Sequence, residues 1–423
     1  MLVEPIIFTN LYEDKLLLAT GEFVDCSLDS SWKFSRPKLY YKNMMIFFQD
    51  LKDCINDTDD LYMVHIDSFG LPQLKNLILS KEKVEEANKK GLKIYLTEIL
   101  LKYQGDTTEL YRQDLETVSH DVYKKFRFDY NDNKTNCIQL DNIDTFVKNN
   151  NLTNVTACII EKDYKNIFSH YKNFKVEYND LFLKYYVKRM KTESNTKNIK
   201  YKFLCKNFRY APHRYLITSF LSNKNSKISW AYKGTIEFLQ NLLIFDLSQT
   251  KYYDKIKQGI DTLNNEVPLS LDLKYNETNI SGSISDQFLL PNTKSKIVPE
   301  STIGVYDNIF CSVVAESEFF EVTSNVSEKT LSAIQHKKPF VILGSPNTLQ
   351  LLKDLGFKTF EKYWSEDYDN YYCSKERFEK VCDVIEFIDS FTIDQCKDML
   401  LDMEDILEHN YATLQKMKEG LTV

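Results

Sequence analysis

The chain has 423 residues, 43% of them hydrophobic and 27% charged, and a formal net charge of −7, an ordinary balance for a folded protein too long for one core, so two domains are expected. No apolar run approaches the length of a bilayer span, and the first twenty residues lack a basic start before an apolar core, so no membrane span or leader is expected. Nine cysteines lie singly, with no Cys-x-x-Cys pair, which points to a reduced, cytoplasmic compartment and away from structural zinc.

The N-terminal half alternates strand-like and helix-like runs. Glu4 to Thr9 opens it, and Met44 to Leu51 has helical character. Leu61 to Asp67 reads as a buried strand with Ser68-Phe69-Gly70 as its turn. A helical run from Leu71 to Lys90 follows, then a strand at Leu92 to Glu98, with further strands at Ala157–Ile160 and Phe174–Tyr178. This is the pattern of a Rossmann-like first domain, taken as residues 1–196. The polar piece Lys191 to Lys200 reads as a hinge, and Tyr201 to Cys205 starts a second series of strands in a domain taken as 197–390. Asn264 to Pro299 is rich in Ser, Asn and Asp and reads as a loop-heavy insertion. From Ile393 to Met417, apolar residues recur at helical spacing, which predicts one long C-terminal helix within 391–423.

The second domain turns on the stretch from Phe310 to Phe360. An apolar run, Phe310 to Ala315, is followed by a polar loop that ends in Ser327-Glu328-Lys329-Thr330. A helical pattern carries Leu331 and Ile334 on one face, and a second apolar run, Phe340 to Leu343, stops at Gly344. Ser345-Pro346 offers a cap and a first-turn proline for the next helix, which Gly356 closes. Strand, helix, strand, helix in this order is the signature of a parallel, doubly wound sheet, in which ligands bind beyond the carboxyl ends of the strands. Ser327 caps a helix at such an end, and the exposed amides with Lys329 suit an anion; equally, Glu328 in a first turn complements the helix dipole with no ligand at all.

Cys205 to Arg214 follows the first strand of this domain and holds Lys206, Arg209, His213 and Arg214. Guanidinium groups pair phosphate oxygens bidentately, so Arg214 first and Arg209 second suit a diphosphate. The other reading is that His213 and Arg214 cap the next helix and pair with local acids. Between Lys162 and Arg214 the chain carries fourteen Lys or Arg against four Asp or Glu, whereas from Glu361 onward it has seven against sixteen. The basic belt fits an anionic donor or nucleic acid, or simply a solvated helical face.

Ala315-Glu316-Ser317, then Val326-Ser327-Glu328-Lys329-Thr330-Leu331, then Lys338-Pro339-Phe340-Val341-Ile342-Leu343-Gly344 resembles the donor-binding motif of fucosyltransferase-type GT-B glycosyltransferases. The Asn207–Arg209 and Pro212-His213-Arg214 segment and the tail Gly356 to Phe360 are similar to viral and phage glycosyltransferase-like proteins. The loop between Glu316 and Glu328 is slightly longer than the family's usual form. The resemblance implies an α/β GT-B fold: two Rossmann-like, doubly wound domains facing across a cleft, with a C-terminal helix packing across them. It implies a nucleotide sugar as substrate, with donor contacts from Arg209, His213, Arg214, Glu316, Ser327, Glu328 and Lys329. The catalytic base would come from the first domain, where Glu98 resembles the family's strand-end Glu and Asp67 and His65 are rivals. No metal and no cofactor are expected. The acceptor is left open among a glycan, a protein and a modified, hydroxymethylated base of viral DNA; if the protein is viral, the expected compartment is the host cytoplasm.

Other chemistries find little support. There is no Gly-x-Gly-x-x-Gly, Gly-x₄-Gly-Lys or Gly-x-Ser-x-Gly, and no histidine pair at metal-ligand spacing. Asp57-Thr58-Asp59 matches the Asp-x-Asp of metal-dependent transferases, but it precedes its strand instead of ending it. Glu-x₇-Glu is not found between Glu316 and Glu328, which points to inversion. A descendant that keeps the fold as a binding or structural module is the alternative from another class. Oligomeric state is not legible.

Overall fold

The computed structural model describes residues 5–9, 15–18, 23–25, 54–55, 61–65, 72–96, 101–104, 109–110, 135–159, 171–179, 181, 183–184, 187, 198–207, 210–230, 232–243, 245–267, 269, 305–317, 319–320 and 326–419. The protein is α/β, and it divides into a first unit that ends at Tyr185 and a second that runs from Tyr186 to Val423. The predicted helix over 44–51, most of the polar hinge and the 270–299 part of the loop-rich insertion lie outside the described residues.

In the first unit, β1 (Pro5–Thr9), β2 (Lys15–Leu18) and β3 (Phe23–Asp25) form an antiparallel meander. β4 (Leu61–His65) pairs antiparallel with β1 and parallel with β5 (Leu92–Leu96). β9 (Val155–Ile159) and β10 (Lys175–Tyr178) extend the parallel half. The spatial order is β10-β9-β5-β4-β1-β2-β3, so a Rossmann-like parallel core carries an antiparallel edge. Between β5 and β9, β6 (Leu101–Gln104), β7 (Glu109–Leu110) and β8 (Thr135–Cys137) form a separate antiparallel sheet.

The single helix predicted over 71–90 is two, α1 (Pro72–Asn76) and α2 (Lys81–Lys90). Side chains hold the break open. The Ser80 hydroxyl accepts from the Lys83 amide and so caps α2. Asn150, just past α3 (Ile138–Asn149), accepts from the Leu79 amide at 2.6 Å and donates to the Leu77 carbonyl at 2.8 Å. Gly91 at φ +90° ends α2 and turns the chain into β5.

In the second unit, β11 (Tyr201–Lys206), β12 (Ser226–Ser229), β13 (Ile309–Ala315) and β14 (Phe340–Leu343) form one wholly parallel sheet in the order β12-β11-β13-β14. Every residue of β13 and β14 is buried, the reason their sequences read as near-continuous apolar runs, broken at Ser312 alone, instead of alternating. From β11 the chain passes through α4 (Pro212–Leu221) to β12 on one side. It then runs through α5 (Ile236–Leu242) and α6 (Tyr253–Glu266) and returns to β13 on the other side. The order therefore reverses between β11 and β13, and their carboxyl ends flank a switch point. α6 crosses α4 at Gly259, where a Cβ would stand 1.8 Å from the Ser219 carbonyl oxygen. The Ser222 hydroxyl donates to the Gly259 carbonyl at 3.1 Å across the same crossing.

After β13 come α7 (Glu328–Gln335), α8 (Thr348–Asp354) and α9 (Ser374–Asp389). The cap expected from Ser345-Pro346 is displaced. Asn347, left-handed at φ 63°, precedes α8, and the buried Asp369 carboxylate accepts from the Leu349 amide at 3.0 Å and the Gln350 amide at 3.2 Å. Gly356 at φ +87° closes α8 as expected. The single long helix expected at the C-terminus is also two, α10 (Ile393–Asp402) and α11 (Glu404–Lys418), meeting at the buried Met403. The halves have different partners: α10 packs on β11 and β13, α11 on α7. The basic belt and the acidic C-terminal segment meet as well. Asp389 takes Lys202 of the belt at 3.2 Å, and α9's Glu386 and Asp389 also hold Lys224, which lies beyond it. Among the described residues, no helix is long and apolar enough to cross a membrane.

Candidate functional site

The carboxyl ends of β11 and β13 bring together side chains from three segments. Past β11, Asn207 is fixed by four bonds: its backbone amide donates to the Ser229 hydroxyl, which donates back to the Asn207 carbonyl, and its side-chain amide donates to the Thr218 hydroxyl and the Cys205 thiol. That thiol is buried, which pushes it up to about 12 and leaves it no nucleophilic character. Ala211 then caps α4 and Pro212 takes its first position, so His213 and Arg214 stand in the first helical turn and not in a loop.

Both reach Glu316, the residue directly after β13. His213 Nε2 lies 2.8 Å from the Glu316 carbonyl oxygen, and Arg214 Nη2 lies 3.5 Å from the same atom. A carbonyl oxygen only accepts, so Nε2 carries the proton and Nδ1 keeps its lone pair. Nδ1 is buried, with no hydrogen-bond partner among the described residues. The ring is stacked on Phe319 at 5.5 Å and meets the edge of Phe320 at 5.9 Å. Burial, reinforced by the charges of Arg214, Lys329 and Arg377, pushes His213 down to about 3. It is therefore neutral at physiological pH, and its remaining capacity is to accept a hydrogen bond.

The Glu316 side chain faces the other way, into the start of α7. Its carboxylate is buried and accepts from the Ser327 amide at 3.1 Å, the Ser327 hydroxyl at 2.5 Å and the Thr330 hydroxyl at 2.5 Å. Ser327 in turn caps α7 through the Lys329 amide at 3.3 Å. A carboxylate on the first amides of a helix complements the dipole and satisfies donors that the helix leaves open. Lys329 Nζ bonds Glu328 at 2.8 Å and lies 3.4 Å from the Ser317 and Ser327 hydroxyls. Burial raises the Glu328 carboxyl, but the Lys329 ammonium, the residue's own backbone amide and Arg214 outweigh it and hold the group below its usual range. Arg214 and Lys329 thus approach consecutive residues, Glu316 and Ser317, from two helix N-termini.

Arg377, on α9, completes the group and was not singled out from the sequence. It is 1% exposed, and its guanidinium donates to the carbonyls of Gly344, Phe319, Tyr371 and Tyr372 while lying over the Phe319 ring. It ties the end of β14 to the loop after β13 and holds the ring against which His213 stacks. A signal existed. The chain has seven arginines against 47 lysines, and Arg377 falls on the face of α9 that buries Phe378, Val381 and Ile385.

Of the other residues named from sequence, His65 ends β4, with its backbone paired to Leu96 and Ile7. The His65 side chain, Asp67, Glu98 and Arg209 lie outside the described residues. Among the described residues, no group of three or more His, Cys, Asp or Glu is placed to hold a metal ion. No protein-family profile matches the chain, and no curated protein matches it.

Proposed function

We propose that the protein is a glycosyltransferase of GT-B type that moves a sugar from a nucleoside-diphosphate sugar to an acceptor hydroxyl without a metal ion. What supports the reading is one observation: Arg214 and Lys329 converge on Glu316 and Ser317 at the switch point of a parallel sheet, beside two helix N-termini. Those charges would neutralise the departing diphosphate, the largest need of a reaction that leaves phosphate and builds positive charge on the sugar carbon. Neutral His213 would accept a hydrogen bond from a donor hydroxyl, and Glu328 would do the same from a ribose or sugar. The base for the acceptor is sought among His65, Asp67 and Glu98 of the first unit, and the expected outcome at the sugar carbon is inversion. The acceptor is a hydroxymethylated base of viral DNA or a glycan; duplex binding that weakens steeply with salt distinguishes the first.

Titration calorimetry with a panel of nucleotide sugars and with uridine and guanosine diphosphate tests the reading, and no binding at millimolar concentration overturns it. A second reading, a binding or structural module without catalysis, is favoured by the Lys329 ammonium being already paired with Glu328 at 2.8 Å. Product analysis with and without acceptors separates the two.

A further inference from the structure

Five aromatic side chains gather where β11 and β12 end. Tyr210, directly before the α4 cap, is the hub: its ring centroid lies 6.1 Å from Tyr215, 5.9 Å from Trp230, 5.4 Å from Tyr232 and 5.9 Å from Phe238. Trp230 follows β12 and stacks on Tyr215 at 5.4 Å with the planes 6° apart. The group is anchored inside and open outside. Tyr215 and Trp230 are 1% exposed, whereas Tyr232 is half-buried and Phe238 is 46% exposed.

Its polar atoms are the anomaly. Tyr210 Oη, Tyr215 Oη and Trp230 Nε1 are all buried, and none has a hydrogen-bond partner among the described residues. Buried phenols and indoles ordinarily find one, because an unmet donor keeps its full desolvation cost. Phenylalanine would fill the same space without that cost. Burial, with the Asp261 charge second, pushes the Tyr215 phenol up to about 12, and burial raises Tyr210 too, so both remain protonated donors at neutral pH. Three donors without acceptors, set among aromatic rings, describe the complement of a flat ring with acceptors on its edge.

We infer that this cluster seats the base of a nucleoside diphosphate, its ring carbonyls or nitrogens accepting from Tyr210, Tyr215 and Trp230. The inference rests on the phosphate reading above and extends it: Tyr210 lies three and four residues before His213 and Arg214, so the end of β11 supplies both the hub of the ring site and one of the two charges. A nucleobase fits better than a sugar ring, since it is planar, stacks on any aromatic face and carries its acceptors in the ring plane.

The test is calorimetry on the full chain with the four common ribonucleosides, their diphosphates, inorganic pyrophosphate and a panel of free monosaccharides. Tyr210→Phe, Phe238→Ala and Arg214→Ala are compared with the wild type, and circular dichroism checks that each folds. Tyr210→Phe removes one oxygen and keeps the ring, so it separates recognition from packing. At least one nucleoside and its diphosphate are expected to bind. Tyr210→Phe and Phe238→Ala should weaken both about tenfold and leave pyrophosphate unchanged, whereas Arg214→Ala should weaken pyrophosphate and the diphosphate and leave the nucleoside unchanged. A diphosphate that binds wild type and both ring variants equally overturns the ring site and spares the phosphate site. Pyrophosphate binding indifferent to Arg214→Ala overturns the phosphate site, and the nucleoside data still judge the ring. Monosaccharides that bind and are lost in the ring variants, with nucleosides silent, overturn the base as occupant.

Discussion

His213 donates its Nε2 proton to the Glu316 carbonyl at 2.8 Å, and this bond, with the longer one from Arg214, joins the first turn of α4 to the residue just after β13. Its consequence is electrostatic. A histidine committed to a carbonyl and buried among three cationic side chains stays neutral, so the positive charge of the site comes from Arg214, Lys329 and Arg377.

The first prediction concerns that neutrality. The folded value of about 3 lies below the ordinary 6.5, so between these the unfolded chain binds more protons and stability rises with pH. The contribution is complete above about pH 6.5 and is lost as pH falls toward 3, reaching about 3 kcal/mol by pH 4. Denaturant midpoints of the wild type and His213→Gln, measured from pH 7 to 4, should converge as pH falls, because the glutamine has nothing to titrate. Parallel curves would show that His213 does not carry the effect. The difference between proteins is the readout, since Glu366, raised by burial to about 7, acts with the opposite sign in part of this window.

Arg214→Ala and Lys329→Ala should each weaken nucleoside diphosphate binding by about 1.5–3 kcal/mol, the range for a charge-assisted hydrogen bond. Titration calorimetry reads the change, and thermal melts confirm that the variants fold.

Glu316→Gln should cost about 2–3 kcal/mol of stability, because one carboxylate oxygen becomes an NH2 donor and faces a backbone N–H, that of Ser327 or that of Ser317, according to which oxygen is replaced. Chemical denaturation measures it. An unchanged midpoint would mean that the α7 cap carries no weight.

Lys338, just before β14, is fully buried, and burial lowers it to about 8 despite the opposing pull of Asp307. The folded value lies below the ordinary 10.5, so stability should rise as pH climbs from about 8 to 10.5. At pH 7 the charged amine costs about 3 kcal/mol, and Lys338→Met should recover most of it and flatten the alkaline rise. Thermal melts of both proteins at pH 7, 9 and 10.5 decide it.

Gly259→Ala should destabilise by about 1–3 kcal/mol, the range for overpacking, because its Cβ would stand 1.8 Å from a backbone oxygen and the helices must part. The melting temperature is the measure.

The sequence by itself determined the second sheet well. Near-continuous apolar runs at 310–315 and 340–343, short and rich in Val, Ile and Phe, read as strands buried on both faces, and Ser327 and Gly356 mark helix ends through local backbone chemistry. Such signals are carried by neighbours in the chain, so they survive without tertiary context. What only the tertiary structure decided depends on contacts between distant residues. Asn150 bonds the backbone of Leu77 and Leu79 from far along the chain and so splits one helical run in two, and Asp369 moves the start of α8. At Met403, with no proline or glycine to mark it, α10 and α11 part to pack on different partners. The site divides the same way. Arg214 and Lys329 could be named from motif and spacing, but their meeting at Glu316 and Ser317, the neutral state of His213 and the guanidinium of Arg377 behind Phe319 arise only when three separate segments fold onto one sheet edge.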